Sequence, residues 1–416
     1  MRPNTTRARG AGAALAAGAL LLTACGSDDA TAEDGGDAEG PEATGNLTVW
    51  VDADRADVLQ DAAADFTEDT GIDVELVQQD FADVRDQFVS QVPTGEGPDI
   101  AVGAHDWLGT LVTNGVVAPI EIGDKAEEFQ DVALEAWSYE GNLYGLPYSI
   151  ENIALLRNAE LAPDAPESYA EMVAIGEDAE VDYPYLVGLD PTEADPYHLY
   201  PFQMSFDAPV FGTDSEGGYD AADLRIGEEG GVDFAEWLAE QGSEGLLNTN
   251  IDGDLARENF VDGNTPFLIT GPWNVPAALD ADIDLQVDPI PAAGDHAAQP
   301  FAGVQGFFLS AQSENVVAAT TFLTEYIGSA EIQTALYEVG GRAPALTESF
   351  DAALADDEIV AGFGEVGAEA VPMPNIPEMG AVWEFWGTTQ AAIIEGDGDP
   401  AELWERMADD IAGAID

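Results

Sequence analysis

Residues 372–386 read Pro-Met-Pro-Asn-Ile-Pro-Glu-Met-Gly-Ala-Val-Trp-Glu-Phe-Trp. Pro372, Pro374 and Pro377 each lack a backbone donor and fix φ, so residues 373–377 form a stiff, extended approach. A helix can begin only beyond them. Met379, Val382, Trp383 and Trp386 then recur at helical spacing, which places two tryptophans on one face close to a helix start. An aromatic stripe at that spacing reads first as core packing. A tryptophan just past a rigid entrance also suits a ligand platform, and the stretch alone leaves both readings open.

Toward the N-terminus the pattern is α/β. Leu47 to Val51 is a β-rich run, Val58 to Phe66 recurs at helical spacing up to Gly71, and Val74 to Val77 reads as the next strand, which together make a βαβ unit. Val84, Phe88 and Val92 form a further helical face that stops at Pro93. Asp99 to Val102 is a third strand, Asp106 to Asn114 a helix, and Tyr139 to Ser149 a hairpin around Glu140-Gly141-Asn142. Ligands in open α/β sheets bind beyond the carboxyl ends of strands. That rule selects Asp52, Asp54 and Arg55 after the first strand, and His105, Asp106 and Trp107 after the third. No phosphate loop or metal-spaced cluster appears, so no cofactor is expected. The run Asn248 to Asn259 matches the first offsets of a calcium loop but has Asn259 where a bidentate glutamate is needed.

Pro-Asn-Ile-Pro-Glu-Met with Ala-Val-Trp at 374–383 closely resembles a C-terminal signature of the maltose/maltodextrin-binding proteins, extracytoplasmic receptors of sugar ABC importers. Three further stretches are similar to that family in the same order. They are Thr94 to Ile100 followed by Ala104-His105-Asp106, the Asp195-Pro196-Tyr197 element, and Phe260 to Gly271-Pro272-Trp273. The resemblance runs from about Gly45 to the C-terminus. It implies a two-lobed periplasmic-binding-protein fold with a hinge and an interlobe ligand cleft. Lobe I would be residues 46–150 plus 307–352, and lobe II residues 151–306 plus 353–416, with crossings near Ser149 to Asn152 and Gly303 to Gly306.

The same resemblance implies sugar contacts at Asp54, Arg55, Asp106, Glu151, Asp195 and Tyr197, with Trp273 and Trp383 as stacking platforms and His105 as a structural residue. The chain departs from better-known members at three places. Gly103 stands where they carry a tryptophan, Trp107 where they carry an arginine, and Gly387 where they carry another arginine. Trp107 is a candidate replacement for the missing aromatic or a residue packed under its own helix. The inferred pocket is chemically coherent: aromatic rings cover the apolar face of a pyranose, and carboxylates accept its hydroxyl protons. Paired carboxylates with aromatic platforms would also suit a secreted glycoside hydrolase, and a relative binding another di- or oligosaccharide is the nearer alternative. The expected partners are maltose or maltodextrin and the permease subunits of an importer, with the protein itself a monomer and not an enzyme.

The first 25 residues differ in kind. Arg2, Arg7 and Arg9 precede an apolar run from Ala11 to Leu22 that is too short to span a bilayer, and Leu22-Thr23-Ala24-Cys25 matches a bacterial lipobox. Cleavage before Cys25 and lipidation of its thiol are expected, which would anchor the protein on the outer face of the cell membrane. Residues 26–45 are acidic and small, without a large apolar residue, and read as a disordered tether. Cys25 is the sole cysteine, so no intramolecular disulfide can form.

Without Arg2, Arg7 and Arg9 the chain has 8 basic against 82 acidic residues, a net charge of −74. Such charge excludes nucleic acid as a partner and destabilises the fold by self-repulsion, which molar salt screens to within about 3 Å. A salt-adapted source is inferred. The melting temperature is therefore expected to rise steeply from low salt to molar NaCl, and to rise more than that of a near-neutral protein of similar size. An equal rise in both, attributable to salt strengthening hydrophobic burial, would remove the adaptation claim.

Overall fold

The computed structural model describes residues 45–213 and 218–415, without the side chains of Asp54 and Asp356. Cys25 and the segment before Gly45 lie outside the described residues. Strand β1 (Asn46–Val51) buries Leu47, Val49 and Val51 completely, and Asp52 caps the helix that follows by accepting from the backbone N–H of Arg55. That helix, α1 (Ala53–Thr70), ends at Gly71, whose φ of 75° supplies the left-handed residue a helix C-terminus favours. Strand β2 (Asp73–Gln78) then pairs parallel with β1, and after helix α2 (Phe81–Gln91) strand β3 (Ile100–Ala104) pairs parallel on its other side.

These three strands belong to one mixed sheet of seven. Next to β3 lies the long strand Phe301–Leu309, antiparallel to it, followed by Gly145–Asn152 and then Ala343–Pro344 at the edge. A second sheet of four strands, Leu285–Asp288, Ala154–Asn158, Phe267–Thr270 and Leu186–Val187, stands apart from it. Each sheet has its own hydrophobic core. One is built from Leu47 through Tyr148 and again from Val304 to Leu346. The other runs from Ile153 to Phe301 and from Met373 to Ile411, with a satellite around Leu156, Phe260 and Phe363. The result is a two-lobed α/β architecture.

Three chain segments run side by side at the junction of the lobes, the first two of them crossing directly from one lobe to the other. Gly145–Asn152 runs through Ile153 directly into the second sheet, and Phe301–Leu309 pairs with it so that Gly303 faces Glu151. Val371–Pro372 pairs parallel with Phe301 and Ala302 as the third. The helix Thr347–Asp356 packs on the edge strand of the first sheet, whereas Glu358–Gly367 gives Phe363 and Val366 to the second lobe. The chain thus leaves the first lobe at about Asp357, a few residues beyond the expected Ala353.

The proline-rich approach stays non-helical, but it does not remain extended to Pro377: it bends at Ile376 and turns at Pro377–Glu378, where the Ile376 carbonyl accepts from the Met379 N–H at 3.1 Å, and Asn375 donates to the carbonyls of Ala136 and Ser138 at 3.2 and 3.3 Å. Gly109 permits this close seating, because a Cβ there would stand 2.3 Å from the nitrogen of Pro377. On the helix that follows, Met379–Glu395, the two tryptophans have different fates. Met379, Val382 and Trp386 are fully buried in the second core, with the Trp386 indole donating to Gln203 at 3.1 Å. Trp383, on the same face and stacked on Trp386, is only half-buried.

Two other expectations are modified. The hairpin around Glu140 and Gly141 has only two residues per arm, Ser138–Tyr139 and Asn142–Leu143, because the chain from Gly145 is claimed by the large sheet. The helix expected from Asp106 opens as a tighter 3₁₀ turn, His105–Trp107, before Leu108–Thr113. Among the described residues no helix is long and apolar enough to cross a membrane.

Candidate functional site

Between the lobes, at the carboxyl end of β3 and beside the three junction segments, lies a chamber of about 450 Å³. Trp107 and Phe81 form its wall on the first lobe, and Tyr197, Trp273 and Trp383 form the wall on the second. Asp106, Glu151, Gln305 and Arg342 supply polar groups between them. A neighbouring cleft of about 820 Å³ shares Phe81, Trp107, Asp195, Tyr197 and Trp383 with it and extends to Arg85 and Gly387. Sites for small ligands have this mostly apolar lining with a few convergent polar groups.

Trp107 occupies the space left by a missing side chain. Its ring lies against Gly103, where a Cβ would come within 2.8 Å of it and 2.7 Å of Phe308, and it packs on Phe81 with ring centroids 5.1 Å apart. A larger residue at 103 and this tryptophan position exclude each other. Trp383 reaches across from the second lobe, its indole N–H donating to Asp106 Oδ2 at 3.2 Å while its ring stacks on Trp386 at 5.3 Å. Trp273 follows Gly271-Pro272 in a short 3₁₀ turn, with the Arg342 guanidinium 5.2 Å from its ring centroid and His198 edge-on at 5.7 Å.

The carboxylates are less free than the sequence suggested. Glu151 is 7 % exposed, with Oε1 accepting from Gln305 at 2.9 Å and Oε2 from Arg342 at 2.6 Å. Asp195 borders the chamber, but it caps the helix Pro196–Met204 through the His198 N–H at 3.0 Å and meets His198 Nδ1 at 2.7 Å. The Tyr197 hydroxyl is buried without a partner among the described residues, 3.1 Å from where a Cβ on Gly303 would stand. Asp54 sits in the first turn of α1, and its side chain is outside what is described.

Arg55, expected at the ligand, is instead packed behind the chamber floor, 4 % exposed. It is held there by Asp52, by the Tyr148 hydroxyl and by Gln305 Oε1, with its guanidinium over the rings of Phe81 and Tyr148. The i, i+3 spacing to Asp52 is the local signal of this role. Sequence reasoning missed Phe81, Gln305, Arg342 and Arg257 on the chamber wall. Only Phe81, at the start of α2, was within reach of a motif.

His105 is structural, as the resemblance implied. Its ring is buried, with the Val304 N–H donating into Nδ1 at 3.1 Å and Nε2 facing the Met373 carbonyl at 3.1 Å, so it ties β3 to two of the three junction segments. Burial lowers its pKa to about 4. Burial also raises the neighbouring Asp106 to about 6, an effect that Arg85 and the Trp383 N–H partly offset.

The family described as Bacterial extracellular solute-binding protein matches residues 61–362. This chain belongs to that family. It is 28% identical over 379 residues, 88% of this chain and 87% of the relative, to a Maltooligosaccharide ABC transporter solute-binding lipoprotein of Streptococcus pneumoniae. It is 25% identical to a Galactooligosaccharide-binding protein of Bacillus subtilis over 96% of this chain and 95% of that one. The structure of a Thermus thermophilus maltotriose binding protein bound with maltotriose superposes with a TM-score of 0.82 at 30% identity, covering 89% of this chain and 100% of that chain. The fold is therefore the two-lobed one of these binding proteins, and the protein is an extracellular solute-binding protein and not an enzyme.

The two perturbed groups act on stability with opposite signs. Asp106 holds its proton in the folded state up to about pH 6, whereas the unfolded chain releases it near its ordinary value of 3.8, so its contribution is lost as pH rises between them. His105 stays neutral in the folded state down to about pH 4 while the unfolded chain protonates near 6.5, so its contribution is lost as pH falls through that window. Comparison with Asp106→Asn isolates the first. The stability difference, wild type minus variant, should shift toward the wild type by about 2–3 kcal/mol between pH 6 and 4 in urea unfolding. A pH-independent difference would contradict a perturbed Asp106.

Proposed function

We propose that this protein captures maltose or a maltodextrin outside the cell and delivers it to the permease of an ABC importer. The observation that carries the reading is the convergence of Trp107, Trp273 and Trp383 from both lobes on one chamber whose polar lining includes Asp106, Glu151, Gln305 and Arg342. Flat indoles match the apolar faces of pyranose rings, and the charged groups match a rim of hydroxyls. The maltotriose and maltooligosaccharide relatives support that sugar class. A different oligosaccharide is the second reading, favoured by the Bacillus subtilis relative and by Gly103, Trp107 and Gly387 at positions where the family resemblance breaks.

In this proposal Asp106 and Trp383 contact the sugar directly, as do Trp273, Tyr197 and Trp107. Glu151 and Asp195 contribute through their remaining lone pairs, Asp54 is a further contact, and Arg55 supports Gln305 from behind. Residues 46–150 plus 307–356 and residues 151–306 plus 358–415 would act as the two jaws, closing by rotation about the segments at their junction. We place the protein as a monomer on the outer membrane face through a lipid on Cys25, with 26–45 as tether, in a saline habitat.

A thermal-shift and calorimetric panel of maltose, maltotriose, longer α-glucans and galactooligosaccharides tests the ligand, because a ligand that binds only the native state raises its stability by mass action. No shift with any α-glucan at millimolar concentration would sink the maltodextrin reading. Trp273→Ala and Trp383→Ala should each weaken sugar binding by about 1.5–3 kcal/mol with little unfolding cost. Trp386→Ala should do the reverse, losing about 3–5 kcal/mol of stability. Equal behaviour of Trp383 and Trp386 variants in both measurements would remove Trp383 from the site.

A further inference from the structure

Gly271 is a glycine that its own backbone does not require. It is buried directly after the strand Phe267–Thr270, and its φ of −94° and ψ of −177° are extended values that any residue adopts. The indole two residues on supplies the reason. A Cβ on Gly271 would overlap Cζ3, Cη2 and Cε3 of Trp273, the farthest of the three standing only 2.6 Å away. The six-membered ring of the tryptophan therefore lies back against the main chain at 271, in space that a single methyl group would fill.

The turn that carries this tryptophan is stiff. Pro272 fixes its own φ, Asn274 Nδ2 donates to Thr270 Oγ1 across the turn at 2.9 Å, and Thr270 is paired with Ala154 in the sheet. From the first lobe the backbone of Gly341 presses on it, where a Cβ would come 2.5 Å from the Pro272 carbonyl oxygen. A methyl at 271 is thus relieved by the indole swinging on its side-chain torsions and not by the main chain. Such a swing takes the ring out of the frame that the Arg342 guanidinium at 5.2 Å and the edge-on His198 at 5.7 Å make around it.

We infer that Gly271 is the positioning residue of the Trp273 platform: its missing side chain lets the indole retreat to the strand end, and that depth sets the room a pyranose has over the ring. The inference rests on the sugar-binding reading above. Trp107 repeats the arrangement on the first lobe against Gly103, near the end of β3, but a Cβ there would also meet Phe308 of the core at 2.7 Å. At Gly271 the three nearest atoms all belong to the indole, so a substitution acts first on the ring.

Four proteins test this: the wild type, Gly271→Ala, Trp273→Ala and the double variant, each titrated with maltotriose by calorimetry and unfolded in urea. Near-ultraviolet circular dichroism reports the surroundings of the indole without any sugar. Gly271→Ala should weaken maltotriose binding at least tenfold and lose the part of the dichroism that Trp273→Ala also loses. Once the indole is gone the methyl has nothing to displace, so the double variant should bind within about twofold of Trp273→Ala and unfold no more readily than it. Unchanged affinity and dichroism in Gly271→Ala, binding losses that add in the double variant, or a double variant less stable than Trp273→Ala would each overturn the inference. A wild type that binds no maltotriose would overturn the sugar-binding reading instead, and the dichroism and unfolding comparisons would still decide whether Gly271 seats the ring.

Discussion

The arrangement depends on one buried polar chain that crosses the floor of the cleft. Asp52 holds Arg55, Arg55 holds the carbonyl end of Gln305, the amide end of Gln305 donates to Glu151, and Glu151 binds Arg342. Removing any one partner would leave a charge or amide buried and unpaired, which costs far more than a lost surface contact. The chain therefore fixes β1, two of the connecting segments and the loop before Ala343 relative to one another. Through Arg342 lying over Trp273 it also sets the position of an aromatic on the other lobe.

Charge distribution follows from the same requirement. Of the eight basic residues beyond Arg9, Arg55 lies behind the cleft while Arg85, Arg257 and Arg342 line it. Arg157 is buried with Asp288 at 2.6 Å in the second lobe. Three of the arginines, Arg55, Arg157 and Arg342, thus pair with carboxylates that are withdrawn from water, whereas Arg85, Arg225 and Arg257 pair with solvated ones. Elsewhere the acidic residues stay solvated, where salt can screen them.

Several features were legible from local sequence because local chemistry decides them. The prolines kept residues 372–378 out of any helix, glycine ended α1, and the β-rich runs near the N-terminus became a parallel unit. Period alone could not separate Trp383 from Trp386. Both face the same side, and only the depth of the second core makes one structural and the other half-exposed. Arg55 misled for a related reason: its position after a strand is right for a ligand contact, but Asp52 three residues earlier turns it inward. Gln305 and Arg342 carried no signal, because their partner Glu151 is 154 and 191 residues away and only the crossings of the chain bring them together.

The central claim is that a sugar lies between the two lobes with its ring faces on tryptophans. A crystal structure of the protein grown with maltotriose measures this directly. The account predicts hexose rings stacked on Trp383 and Trp273, a hydroxyl on Asp106, and the Asp52–Arg342 chain unchanged beneath them. Maltotriose bound elsewhere on the surface, or a cleft left without sugar at saturating concentration, would contradict it.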